Sequence, residues 1–247
     1  ELEGHYDRYE FLNVYQKISH FCSQELGGFY LDIIKDRQYT AATDGVARRS
    51  CQTALYHIVE ALTRWIAPIL SFTADEILEQ IPGEHDESVL LGTWYENLAE
   101  LSDDAQMGAD FWGKVQSVKN CVNVALESKR QNGVIGSGLD AEVVIYLSSD
   151  QQDYADVLNE LGDELRFVLI TSGAKIEVTN SIPADQSNEQ CTAGDLTISV
   201  VVEKSGHAKC DRCWHHREDV GANAEHEALC GRCVENITGE GENRSFA

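Results

Sequence analysis

The chain has 247 residues, 43% of them hydrophobic, enough for one large domain or two to three small ones with a real core. Its formal net charge of -23 excludes a general nucleic-acid binder, because affinity for phosphate rests on clustered Lys and Arg that release counterions. The sequence holds no apolar run of roughly eighteen residues, and its first residues, ELEGHYDRYE, are acidic where a secretory signal would be basic and then apolar.

In chain order, Phe11, Val14, Ile18 and Cys22 follow helical spacing, with Gly27 and Gly28 offered as a stop. A second helix is predicted through DGVARRSCQTALYHIVEALTRWI, with Leu55, Ile58, Val59, Leu62 and Ile66 as its apolar stripe and Pro68 closing it. Thr73 and Glu76 have the spacing of a capping box for a third helix, ended by Pro82-Gly83. Three amphipathic helices with short breaks predict a bundle. After an acidic loop, Phe111, Val115, Val118, Val122 and Leu126 mark a long helix, with Lys114, Lys119, Lys129 and Arg130 on its exposed side.

Gly133, Gly136 and Gly138 then make a turn into a strand at Val143–Leu147, and Asp150 is placed to cap a helix carrying Tyr154, Val157, Leu158 and Leu161, stopped by Gly162. LRFVLITSG is ambiguous between helix and strand. AKIEV and DLTISVVVE read as strands, joined by a polar loop, TNSIPADQSNEQCTAG. The fold class expected is multidomain, mainly α with α+β.

The strongest motif is the set Cys210, Cys213, Cys230 and Cys233, two Cys-x-x-Cys pairs. Each pair presents two sulfurs from one tight turn, and four thiolates fill a tetrahedral ion's coordination shell, so the expected site is structural and its metal zinc, with iron or a redox pair as the other options. His207, His215, His216 and His226 are possible substitute ligands. The remaining Cys22, Cys51, Cys121 and Cys191 are scattered singly, a poor basis for a disulfide framework, and together with the missing secretion signal they make the cytoplasm the default. Asn236-Ile-Thr and Asn243-Arg-Ser match the glycosylation pattern, a match frequent by chance.

Charge is unevenly spread. Between Arg64 and Lys114 there is no Lys or Arg but eleven Asp and Glu, whereas Lys204, Lys209, Arg212 and Arg217 gather around the first Cys pair. Any RNA contact must therefore be local. Arg212 and Trp214 flank Cys213 and are expected to project from the knuckle, as a stacking platform for an unpaired base or as a miniature core with a solvated Arg. Arg48, Arg49, Lys35, Asp36 and Arg37 either touch phosphates or form surface ion pairs, and Trp65, Trp94 and Trp112 read as packing residues. The sequence contains no His-Glu-x-x-His, Gly-x-Ser-x-Gly or phosphate-binding loop, so no catalytic residue is predicted.

GGFYLDIIKDRQYT, ARRSCQTALYHIVEALTRWIAPILSFTADE, LGDELRFVLITSGA and CDRCWHHREDVG followed by CGRC resemble, in order, the C-terminal third of the bacterial isoleucyl-tRNA synthetase family. The resemblance implies a helical anticodon-binding portion over residues 1–98, an α+β junction module over 99–202 and a zinc domain over 203–247. It also implies zinc on the four Cys, and Arg212 and Trp214 at the anticodon loop of isoleucine tRNA. The family's ATP motifs, His-Ile-Gly-His and Lys-Met-Ser-Lys-Ser, do not occur here, which places ATP and Mg in a catalytic domain outside these residues. The start at Glu1 agrees with a piece of a longer chain. A soluble monomer, with no membrane or DNA partner, is expected. The competing reading is a zinc-dependent interaction module of another assembly, with Trp214 as a protein hot spot.

Overall fold

The structure, a computed structural model, describes residues 1–102, 105–181 and 188–246. The chain divides into two compact units, Glu1–Gln38 with Arg48–Glu100, and Tyr39–Ala47 with Leu101–Ala247. No helix among the described residues is long and apolar enough to cross a membrane.

The first unit is helical. Helix α1 (Leu2–Asp7) and α2 (Phe11–His20) are followed by a π-helical stretch, Phe21–Tyr30, which runs without a break into α3 (Leu31–Thr40). Gly27 and Gly28 therefore do not stop the helix. A Cβ at Gly27 would stand 2.9 Å from the carbonyl oxygen of Cys22, five residues back, so glycine here lets the widened turn close. Of the predicted stripe, Val14 is fully buried while Phe11 and Cys22 are exposed.

Helix α4 (Val46–Ile66) ends two residues before Pro68, as the sequence predicts. Helix α5 (Ser71–Leu78) begins earlier than the expected capping box. Its first residue donates its hydroxyl to Ala67 O, and Thr73 lies inside the helix. Ala67, Ala74, Leu78, Ile81 and Val89 make the local core, against which Val59, Ile66 and Ile77 pack. The Asp75 carboxylate accepts from Ser88 Oγ (2.9 Å) and Val89 N (2.7 Å), which pins the following loop to α5. Trp65 and Trp94 stack with ring centroids 6.1 Å apart, in keeping with their reading as packing residues.

The second unit is built on α6 (Ala109–Gln131), whose predicted stripe of Phe111, Val115, Val118, Val122 and Leu126 is buried. Lys119 departs from expectation: it is 3% exposed and donates Nζ to Val168 O at 2.7 Å. The amine thus satisfies a carbonyl near the end of a short helix, a use of lysine that periodicity alone cannot distinguish from a solvated one.

Strands β1 (Ala141–Leu147), β2 (Gly173–Val178), β3 (Asn188–Ala193) and β4 (Leu196–Lys204) form a sheet of order β2-β1-β4-β3. Strand β2 runs parallel to β1, and the β1–β4 and β4–β3 pairs are antiparallel. Helix α6 packs on β4 and β3, while α7 (Gln152–Glu160) and α8 (Leu165–Leu169) pack on β2. The ambiguous LRFVL is thus helical, and Gln151 rather than Asp150 precedes α7. Strand β3 lies in the stretch expected to be a loop, of which residues 182–187 lie outside the described residues. Cys121 and Cys191, expected to be single, are joined as a disulfide between α6 and β3.

Gly138 is dictated by space. A Cβ there would sit 2.6 Å from Ile170 O, backbone that cannot swing aside, whereas a Cβ at Gly113 within α6 meets nothing within 4 Å. Gly138→Ala is expected to destabilise the chain by about 1 to 3 kcal/mol, and Gly113→Ala to stabilise it by about 1 kcal/mol through helix propensity. Urea unfolding followed by circular dichroism checks both. A Gly138→Ala midpoint at or above that of the parent would contradict the close approach.

Candidate metal centre and nucleic-acid interface

Besides the four-stranded sheet, the second unit holds a two-stranded ribbon, β5 (Ala208–Lys209) and β6 (His216–Arg217), whose tip is the first Cys pair. The tip closes by two backbone hydrogen bonds, Cys210 N to His215 O and Trp214 N to Cys210 O, both 2.9 Å. The second pair opens helix α9 (Gly231–Thr238), with Cys230 at its N-cap and the Asp219 carboxylate accepting from Gly231 N at 2.8 Å. Asp211 N donates to Ala228 O, which holds the two Cys pairs together.

All four sulfurs lie within 4.8 Å of one another and all four Cys are buried. Among the described residues this is the one group of His, Cys, Asp and Glu with metal-ligand spacing. The Cys213–Cys230 sulfur distance is 3.7 Å. A tetrahedral ion with bonds of about 2.3 Å places its ligand sulfurs about 3.8 Å apart, so the pair fits such an ion. Two N–H groups point at these sulfurs: Cys230 N at Cys210 Sγ (3.4 Å) and Arg212 Nη1 at Cys233 Sγ (3.8 Å). Donors of this kind stabilise thiolate charge and fix ligand orientation. Among the described residues only Val220 and Leu229 add apolar packing to the four Cys, too little to hold so short a segment folded.

The thiols also perturb one another. Hydrogen bonds from Cys230 and then Cys233 hold the Cys213 thiol well below its ordinary range, while the same contact with Cys213 pushes Cys230 up to about 11 and raises Cys233 further. Thiols this close cannot all ionise unaided, a conflict that a bound cation removes by releasing their protons. None of the four His considered as substitutes joins the cluster. His216 donates Nδ1–H to His207 O and pairs with Asp140, and His207 pairs with Glu142. His215 is 2% exposed and stands edge-on to Phe167.

The two residues expected at the knuckle's tip part company. Trp214 is 59% exposed, with Lys209 Nζ 5.6 Å from its ring, so it is not the knuckle's miniature core. Its φ is +67°, the left-handed region a glycine occupies without strain. Arg212 instead folds back: Nη1 donates to Thr40 O at 2.5 Å as well as to Cys233 Sγ. Thr40 also accepts from Arg232 Nη1 on α9, through its hydroxyl at 3.2 Å. On the other side, buried Ser172 accepts from His216 N at 2.6 Å and, through its carbonyl, from Arg217 Nη1 at 3.4 Å.

Thr40 and Ser172 anchor the knuckle and were invisible to sequence reasoning, since neither is near it in the chain. Lys209 could have been found, as it adjoins Cys210 in the basic stretch. Of the scattered cations, Lys35 pairs with Asp32 within α3 at 2.7 Å, the surface ion pair of the two readings. Asn236, in one glycosylation match, is buried and bonded at both ends of its amide to Glu242.

A non-glycine residue with a bulky side chain in the left-handed region carries a backbone cost that glycine does not. Trp214→Gly is expected to be about 1 kcal/mol more stable than Trp214→Ala, because only glycine relieves the backbone. Equal thermal midpoints for the two variants would show that the turn carries no strain.

Over residues 1–145 the chain matches the family described as anticodon-binding domain of tRNA ligase, and over residues 209–236 the one described as zinc finger found in FPG and IleRS. The isoleucine–tRNA ligases of Pseudomonas entomophila (strain L48), Azotobacter vinelandii (strain DJ / ATCC BAA-1303) and Alcanivorax borkumensis (strain ATCC 700651 / DSM 11573 / NCIMB 13689 / SK2) are 58%, 56% and 53% identical to it over 247 residues. These matches take in 100% of this chain and 26% of each relative, so the chain spans about a quarter of the length of the curated relatives it matches. With more than half of its residues inside the first match and its Cys cluster inside the second, the chain belongs to the anticodon-binding domain family of tRNA ligases.

Proposed function

We propose that these residues are the tRNA-recognising C-terminal part of an isoleucine–tRNA ligase, in which Cys210, Cys213, Cys230 and Cys233 hold one structural zinc ion and Trp214 and Arg212 meet unpaired bases of the anticodon loop. The observation that carries the reading is Trp214: an exposed indole held in a strained backbone conformation, beside a cation, on a four-sulfur knuckle. An unpaired base stacks on such a surface, and a guanidinium or ammonium alongside adds attraction. Zinc would supply the knuckle's rigidity, with the donor set and the sulfur spacing both suited to it.

In this reading the chain has three working parts: residues 1–98 help to seat the anticodon stem and loop, 99–202 carry the knuckle, and 203–247 present it. Arg212 keeps one nitrogen on Thr40 and Cys233, and its role at the RNA falls to the other donors of the guanidinium. The ligase joins isoleucine to its tRNA at the expense of ATP. ATP and Mg²⁺ belong to residues other than these 247, which lack the family's two ATP motifs. The protein would work in the cytoplasm as a monomer, with no membrane or DNA partner.

Binding of the chain to isoleucine tRNA and to an anticodon-swapped tRNA, with zinc quantified in each sample, tests the proposal. Trp214→Ala is expected to weaken isoleucine tRNA binding by about 1 to 3 kcal/mol with one zinc per chain retained. Cys230→Ser is expected to lose zinc and recognition together. Equal binding by the parent and a zinc-loaded Trp214→Ala would remove Trp214 from the interface. Salt-insensitive capture of protein with no tRNA binding would instead favour a protein-interaction module.

A further inference from the structure

Within the second unit, the ring of buried Phe167 is faced by three guanidinium groups, those of Arg244 at 3.6 Å, Arg166 at 4.0 Å and Arg232 at 4.9 Å from its centroid. Arg217 on β6 stands close by and shares Asp163 with Arg166. In a chain of net charge -23 this is a local excess of cations. Glu242 takes Arg232 (3.1 Å) and Arg244 (3.9 Å), and Asp163 takes Arg166 Nε (2.9 Å) and Arg217 Nη1 (3.9 Å). Glu164, next along, is engaged by Ser245 N and Phe246 N.

This arrangement leaves a demand unmet. Arg166 is 5% exposed, and its Nη1 is buried with no hydrogen-bond partner among the described residues. Buried polar groups are nearly always paired, so an orphaned guanidinium nitrogen calls for an acceptor. Burial, and the positive charges of Arg217 and Arg232, press on the charged state of Arg166, which an added anion would relieve. The Asp163 side chain is 69% exposed. An exposed carboxylate bridging two guanidinium groups, one of them at long range, holds the place that a stronger bidentate anion would take.

We propose that Arg166 and Arg217, with Arg232 behind them, form a phosphate site for which Asp163 is the resident stand-in, and that its ligand is a phosphodiester of the RNA backbone. The RNA assignment rests on the function proposed above. It follows from place: Arg217 lies on the strand that leaves the knuckle, three residues after Trp214, so one rigid ribbon carries a base-stacking residue and a phosphate contact. Phosphate contacts set register and base contacts specify, and a fixed spacing between them makes each reinforce the other.

The test titrates the full chain with inorganic phosphate alone, and with isoleucine tRNA across a salt series, for the parent, Arg217→Gln, Arg217→Lys, Asp163→Asn and Trp214→Ala, with zinc content as the check on folding. Arg217→Gln is expected to weaken phosphate binding about tenfold and Arg217→Lys less, because lysine keeps charge but loses the fork. Asp163→Asn is expected to strengthen it up to about fivefold by removing the competitor. For tRNA, Arg217→Gln should lower the salt slope by about 0.7 to 0.9, one phosphate's worth. Phosphate binding that is undetectable in the parent, or unchanged in zinc-loaded Arg217→Gln and Asp163→Asn, overturns the site. An unchanged tRNA salt slope in Arg217→Gln, with Trp214→Ala still impaired, overturns the RNA assignment and leaves the proposed function standing. A reduced slope in Arg217→Gln with Trp214→Ala unimpaired does the reverse.

Discussion

Four sulfur atoms within 4.8 Å of one another form the constraint on which the C-terminal part of this structure depends. Four thiols can share so small a volume, but four thiolates cannot without a cation, and the opposed shifts at Cys213 and at Cys230 and Cys233 express that conflict. The segment has almost no apolar core of its own, with Val220 and Leu229 as the only additions among the described residues. Its conformation must therefore come from the sulfur cluster, from the backbone hydrogen bonds of the two Cys turns, and from the polar anchors at Thr40 and Ser172. Each anchor is buried, so the bonds operate where water does not compete for them.

The charge distribution follows the same logic at larger scale. An acidic chain repels RNA in general, and a binding surface on such a chain gains selectivity from that repulsion, because only a ligand that reaches the cationic patch is retained. The cations near the knuckle are divided by burial. Lys209 is exposed beside Trp214, Arg217 is half-buried, and Arg166 and Arg244 are enclosed around Phe167. The enclosed ones are held by cation–π contact, with Glu242 on Arg244 and Asp163 on Arg166, so they act as a fixed field rather than as mobile side chains.

How much of this was legible in the sequence depended on how local each signal was. The Cys-x-x-Cys pairs, the stripe from Phe111 to Leu126 and the apolar strands β1 and β4 are carried by neighbouring residues, and the structure has them as read. Strand β3 escaped notice because it is an edge strand: NEQCTA alternates exposed and half-buried positions and contains no apolar run, so its only strand signal is its pairing with β4. The glycines at 27 and 28 misled because a glycine's freedom serves a widened helical turn as well as a helix stop. Lys119 misled because its position on the helix says nothing of the Val168 carbonyl it meets. At the knuckle, spacing found the sulfurs but not the backward fold of Arg212, whose partner Thr40 is 172 residues away in sequence.

Trp214 shows why the cluster and its strain belong together. A left-handed residue with a side chain costs about 1 to 2 kcal/mol in the folded state. A flexible aromatic ordered only when a ligand arrives would lose about 0.5 to 1.5 kcal/mol at that moment. The two costs are similar in size but fall on different equilibria. A strained backbone that presents the indole outward places its penalty on folding, where a structural zinc ion in the proposed site would supply about 10 to 16 kcal/mol of apparent stabilisation and the strain is a small fraction of it. In the function proposed above, metal on four sulfurs and an aromatic in a glycine's conformation are then two halves of one arrangement: the first would make the second tolerable, and the second would convert rigidity into recognition.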